Sequence, residues 1–342
     1  MLISNNNYAA NADYIFAETV DHRRFSELNG KSIFISEKNA ASVTYKSTML
    51  HISDGDTIFC RTDYIDELFY LIKKTEKINL KLITHQTDKN ISPKLVQKLP
   101  KNFSFWFGIN KDTNSQKVIS IPIGLAGDFA DKNLHIKNFN EKKIKKFDLK
   151  SKEPKIYINF QKNTNNIERG LAINTLKESE RVVISEPNLS KSEYKKDLEK
   201  FIFVLCPWGN GYDTHRIWET LYAGSIPIVK PHNTFEYLEN LPVLFINDYK
   251  DLLDYDLDSF IEEFKVDNFD FEKLFMEYWI SIINSENVNN QKVSIPISYS
   301  VTLFFHLKLK IQNKFNSYRK KLFYNLRRIK FKIINLNRNL KL

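Results

Sequence analysis

Residues 201–231, FIFVLCPWGNGYDTHRIWETLYAGSIPIVKP, constrain this chain more than any other stretch. Five consecutive apolar residues at 201–205 read as a buried strand, and a Cys-Pro-Trp-Gly-Asn-Gly turn follows. Residues 214–222 have helical spacing, Gly224 stops the helix, and 226–229 form a second apolar strand. Polar residues crowd into the first loop and the first helical turn. A loop at the carboxyl end of a strand, facing a helix N-terminus, is where α/β proteins hold phosphate-bearing ligands.

Glycine usage sharpens this reading. The chain has nine glycines, and Gly209, Gly211 and Gly224 fall within sixteen residues. Gly209 and Gly211 permit positive φ and let backbone N–H groups approach a ligand; a plain strand-to-helix turn with a glycine C-cap would use them equally well. Only six arginines precede residue 287, so Arg216 in the first helical turn stands out from a lysine-rich background. Its guanidinium suits a bidentate grip on phosphate, or a salt bridge to Asp213 or Glu219. Asp213 and Thr214 are good helix N-caps. Glu219 lies on the face of Arg216 and suits the two hydroxyls of a ribose, while His215 suits a phosphate or leaving group.

Around this segment, apolar runs alternate with helical periodicities. Strands are expected at 57–61, 80–84, 103–107 and 118–123, with a helix at 64–73 and another from Pro93 after a Ser92 cap. The first ~50 residues show only short apolar pieces at 14–16 and 32–35. A polar, lysine-rich stretch at 127–154, with the cluster 142–146, reads as a linker. Strands at 155–160, 181–185 and 243–246 and helices around Glu168–Leu176 and 192–200 follow. The pattern implies an α/β chain of mostly parallel sheets flanked by helices, divided into 1–150, 151–300 and 301–342. Cys60 and Cys206 sit in apolar runs without metal-ligand spacing, as buried reduced thiols of a cytoplasmic protein do. The first twenty residues lack a basic start and an apolar run, so no secretory signal is expected there.

At this point the residues resemble a family. Cys206-Pro207-x-Gly-Asn-Gly-x-Asp213-x-His215-Arg216-x-Trp218-Glu219-x-Leu221-x-x-Gly224-x-Ile226-Pro227-Ile228 is similar to the donor-site signature of bacterial exostosin-like glycosyltransferases. Lys155-Ile-Tyr-Ile-Asn159-Phe160, with Thr164 and Arg169, resembles the opening of that family's donor domain. Leu82-Ile-Thr84-His85-x-x-Asp88, the 106–110 segment and Ile121-Pro122-Ile123-Gly124 resemble its acceptor half. The resemblance implies a GT-B architecture, two Rossmann-like domains facing a cleft, with metal-independent, inverting transfer from a nucleotide sugar and no cofactor. It implies donor binding by Arg169, Gly209, Asn210, Gly211, Asp213, His215, Arg216 and Glu219. A general base is then needed from the other domain, and Asp88, His85 and Asp63 follow strand ends there. The implied partners are a nucleotide-sugar donor and a glycan or lipid-linked glycan acceptor of the cell envelope. A non-catalytic nucleotide-sugar-binding protein and a sugar-nucleotide epimerase are the alternatives. A metal-dependent enzyme would need an Asp-x-Asp pair; Asp54-Gly55-Asp56 precedes its strand, and Asp254-Tyr255-Asp256 lies in an acidic amphipathic region.

The net charge of +10 suggests nucleic acid until it is located. Thirteen of the 51 Lys/Arg lie in 287–342, which contains no Asp or Glu, so 41 acidic side chains face 38 basic ones elsewhere. From Tyr318, helical spacing aligns Leu322, Leu326, Ile329, Ile333 and Leu336 beneath flanking lysines and arginines. This reads as a helix lying on the anionic inner face of the cell membrane rather than a nucleic-acid-binding surface.

Overall fold

The structure, a computed structural model, describes residues 1–28, 32–75, 78–144, 147–285 and 292–339. Lys145 and Lys146 of the lysine cluster lie outside the described residues. The chain divides into two compact units, Met1–Ile295 and Pro296–Leu342.

The first unit holds two sheets. Strands β1 (Tyr14–Val20), β2 (Ile33–Lys38), β3 (Val43–Ser47), β4 (Met49–Ser53), β5 (Thr57–Arg61), β6 (Leu80–His85), β7 (Phe103–Gly108) and β8 (Val118–Ser120) come first. Seven of them form one sheet in the order β2-β3-β1-β5-β6-β7-β8, and β4 pairs in a separate ribbon. From β1 through β8 the pairing is parallel, while β3 runs antiparallel to β1 and β2. All six residues of β6 are buried, as a central parallel strand covered on both faces requires. Trp106 on β7 shows how this core is built: its indole donates to Thr84 at 2.8 Å and meets Phe69 edge-on. Beside it, Lys46 and Glu67 form a fully buried ion pair.

The second sheet is parallel throughout, in the order β10-β9-β11-β12-β13. Its strands are β9 (Glu153–Ile158), β10 (Val182–Ile184), β11 (Phe201–Leu205), β12 (Ile226–Val229) and β13 (Leu244–Phe245). Helix α1 (Asn166–Leu176) follows β9, α2 (Lys191–Lys200) precedes β11, and α3 (His215–Tyr222) joins β11 to β12. Ser190 and Glu193 close a reciprocal capping box at the start of α2. The expected boundary near residue 150 falls between the sheets, yet both belong to one compact unit.

One local segment departs from expectation and another follows it. The strand expected at 118–123 pairs only over Val118–Ser120; residues 121–125 leave the sheet and run on in contact with the N-terminal residues, Leu125 N–H bonding Ile3 O at 2.8 Å. The Asp54-Gly55-Asp56 segment is a tight turn before β5, with Gly55 at φ +86° and both carboxylates accepting backbone N–H groups.

The second unit contains α4 (Tyr299–Asn339), 41 residues long. Phe304, Leu307, Ile311, Phe315, Tyr318 and Leu322 are exposed at spacings of three and four, so the apolar stripe starts fourteen residues before Tyr318. Leu326, Ile329, Ile333 and Leu336 lie outside the residues whose side chains are described. Among the described residues no helix is long and apolar enough to cross a membrane.

Candidate active site at the carboxyl ends of the two sheets

Loops at the carboxyl ends of both sheets meet around residues 206–215. From the first sheet come Asn110 and the 121–125 segment; from the second come the turn after β11 and the start of α3. The turn is closed by Gly209 N–H donating to Gly211 O at 3.0 Å. Neither glycine has the positive φ anticipated for it; among the described glycines only Gly55, Gly124 and Gly224 do. Gly211 is needed instead for close approach, because a Cβ there would lie 2.7 Å from Asn110 Nδ2. Asn110, itself at φ +54°, accepts from the N–H groups of Tyr212 and Asp213 at 2.9 and 3.1 Å. At Gly209 a Cβ would lie 3.1 Å from Arg169 Nη2, and Asn210 is exposed at the tip.

Asp213 is not the helix cap. Thr214 holds that position without a side-chain capping bond, and the Asp213 carboxylate turns inward. It accepts from Ile123 N–H at 2.7 Å, the Tyr237 hydroxyl at 2.6 Å and the Trp218 indole at 3.3 Å. Burial nevertheless pushes its carboxyl up to about 6, because three donors do not replace the lost hydration. His215 Nδ1 donates to Gly124 O at 2.8 Å. Asp213 and His215 therefore clasp the 121–125 segment, one to each side of its turn. Glu219 is also buried, with one oxygen accepting Leu134 N–H at 3.3 Å and the other the Tyr194 hydroxyl at 3.0 Å.

Among the described residues, Arg169 and Arg216 form no ion pair with a carboxylate, although the Glu219 charge is felt by Arg216. Arg169 donates to Gln161 O at 2.7 Å and Trp208 O at 3.2 Å, tying the loop after β9 to the loop after β11. Arg216 lies over Phe160 at 5.8 Å and Tyr194 at 6.0 Å, and Arg169 over the same Phe160 at 5.4 Å. The salt bridge from Arg216 to Asp213 or Glu219 considered from sequence does not form among the described residues. Arg216 Nε is buried with no hydrogen-bond partner. Burial, and then the neighbouring Arg216, lowers the Arg169 guanidinium to about 10. Two neighbouring guanidinium groups, one with an unmet buried donor, have the chemistry to hold an anion.

Of the three sequence candidates for the base, His85 is fully buried. Its Nδ1 accepts Gln86 N–H at 2.8 Å and its Nε2 faces Pro122 O at 3.4 Å. Burial lowers it to about 3, so the ring stays neutral and supports the 121–125 segment. Asp63 is held by Arg61 Nη2 at 3.1 Å, whereas Asp88 is exposed. Sequence reasoning had Asn110 only as the end of the 106–110 segment that resembles the acceptor half, without a role at this site; that role depends on a positive φ and a contact across a hundred residues. Cys60 and Cys206 are free and buried.

Residues 163–255 match the family model described as the RXYLT1 C-terminal domain, an exostosin-related xylosyltransferase domain. The match runs from just before α1 past β13 and takes in Arg169, the 206–214 loop and α3. It stops short of the first sheet and of Asp63, His85 and Asp88. No curated protein matches the chain. At the level of class, the match supports an exostosin-like glycosyltransferase.

Proposed function

We propose that this chain transfers a sugar from a nucleotide-sugar donor to a cell-envelope glycan, with inversion and without a metal ion. The observation that carries this reading is the pair Arg169 and Arg216, which share the Phe160 ring, form no ion pair with a carboxylate among the described residues and follow the carboxyl ends of β9 and β11. A departing nucleoside diphosphate supplies the missing anion, and the guanidiniums neutralise the charge that develops as it leaves. Gly209 and Asn210 border this cradle, while Asp213, His215 and Glu219 shape it from behind. The meeting of two sheets at their carboxyl ends supports a GT-B arrangement, in which the first sheet supplies the proton acceptor. Among the sequence candidates for that role, Asp88 keeps an open carboxylate.

The basic helix α4 fits a peripheral position on the inner face of the cell membrane, close to lipid-linked acceptors. Screening the purified chain against UDP-, GDP- and CMP-sugars by thermal shift tests the donor reading. One donor class is expected to raise the melting temperature. Recovery of an epimerised donor without an acceptor, or no shift with any donor, would overturn it.

A further inference from the structure

We propose that Asp112, with the rings of Trp208 and Tyr212, forms the acceptor-sugar subsite, and that Asp112 takes the proton from the attacking hydroxyl. This rests on the glycosyl-transfer reading above and assigns its second substrate a place.

The subsite lies where the loop after β7 meets the loops after β11 and β12. Three part-exposed rings gather there. His232 stacks on Tyr212 with centroids 3.5 Å apart and planes 19° from parallel. Trp208 stands edge-on to both, at 5.1 and 5.7 Å. Its indole Nε1 is buried and has no hydrogen-bond partner. Aromatic surface beside an unmet N–H donor suits a pyranose, which offers C–H groups on its faces and hydroxyls at its rim.

Asp112 faces this cluster from the first sheet. His232 Nδ1 accepts Thr234 N–H at 3.2 Å, so the neutral ring carries its proton on Nε2, which lies 3.7 Å from Asp112 Oδ1. The Asp112 side chain is 41% exposed and thus open to a substrate. Its contact with His232 is not what holds the loops together. Lys111 pairs with Glu236 at 2.7 Å, and Ser120 Oγ donates to Thr234 O at 2.7 Å, so the junction is pinned on both sides without Asp112.

Position relative to the phosphate cradle completes the argument. The carbonyl of Trp208 accepts from Arg169 Nε at 3.2 Å, so ring and cradle share one residue of the chain. A sugar attached to a diphosphate on Arg169 and Arg216 reaches toward the rings. Among the described residues, no hydrogen bond or ion pair joins Asp88 or Asp63 to the second sheet's loops. In the reaction, the acceptor hydroxyl proton passes to the Asp112 carboxylate and the oxygen lone pair bonds the anomeric carbon. The bond from that carbon to the phosphate oxygen breaks, its electron pair leaving on the diphosphate.

The test uses the full chain and the donor class found by thermal shift, with water as the acceptor. Asp112→Asn is expected to slow donor hydrolysis at least 100-fold while the donor-induced thermal shift stays at its wild-type value. Hydrolysis at the wild-type rate, or a loss carried by Asp88→Asn in its place, overturns the role of Asp112. Saturation-transfer NMR with methyl glucosides, galactosides, mannosides and xylosides reads the rings independently of activity. Signal from at least one pyranoside, lost in Trp208→Leu, is expected; signal from none overturns the stacking site. If no donor shifts the melting temperature, glycosyl transfer itself fails and this site falls with it. A donor shift combined with unaffected hydrolysis in Asp112→Asn removes this site alone.

Discussion

Arg216 and Asp213 stand three residues apart and do opposite work. Arg216 is only partly served by the protein: Tyr194 and the Glu219 charge favour its charged form, but its buried Nε lacks a partner that a ligand oxygen can supply. Arg216→Ala is expected to weaken donor binding by at least ~2 kcal/mol, roughly thirtyfold, and Arg216→Lys to restore only part, because an ammonium cannot present a planar fork. Calorimetric titration measures this; wild-type affinity in the alanine variant would remove Arg216 from the site. Asp213 takes hydrogen bonds from three protein donors, yet burial still raises its carboxyl because they do not replace the lost hydration. Its folded carboxyl is raised to about 6 from the usual 3.8, so between those values the folded chain keeps a proton that the unfolded chain releases. The stabilisation from this group is complete below pH ~4 and disappears as pH rises through ~6, at about 1.4 kcal/mol per unit. The melting temperature of Asp213→Asn relative to wild type should therefore climb over that window, and a constant difference would contradict it. Both residue types were legible in the sequence; their orientation was not, because direction is set by Ile123, Trp218 and Tyr237 rather than by neighbours in the chain.

Elements followed the same division between local pattern and distant contact. Strands β11 and β12 coincide with apolar runs, since a parallel strand buried on both faces needs no partner pattern to be visible. Strand β2 was missed because an exposed edge strand carries polar residues, as in Ser36-Glu37-Lys38, and β3 because its buried positions include Thr44 and Lys46, which break the apolar run. Residues 121–123, expected as the end of a strand from 118, belong instead to an irregular 121–125 segment bonded by Asp213, His215 and Ile3. In α4, the exposed stripe from Phe304 to Leu322 lies on a helix, Tyr299–Asn339, that carries eleven basic residues and no acid. Each Lys or Arg near an anionic leaflet contributes about 1 kcal/mol, and the apolar stripe adds to that. Deleting 301–342 is expected to abolish sedimentation with phosphatidylserine-containing vesicles while leaving donor binding intact. Undiminished vesicle binding by the truncated chain would sink the membrane role.

Across the whole molecule, the two sheets share one core. Leu2, Ile3 and Tyr8 from the N-terminus pack in the same buried cluster as Phe107 and Ile123 of the first half and Trp218, Tyr222 and Leu274 of the second. Composition shifts around residue 150 separate the sheets but say nothing of this shared interior, which only the folded chain assembles. Tyr222 sits at its centre, its hydroxyl accepting Ile3 N–H at 3.1 Å and donating to Leu274 O at 2.9 Å. Replacing it by phenylalanine leaves a buried donor and a buried acceptor unmet, at about 1–3 kcal/mol each. If the halves were independent, that loss would lower one melting transition and spare another. Because the core is continuous, Tyr222→Phe is expected to lower a single calorimetric transition without splitting it. In the wild type, the calorimetric and van't Hoff enthalpies of that transition should agree. Two resolved transitions, only one of them shifted, would show that the sheets fold apart.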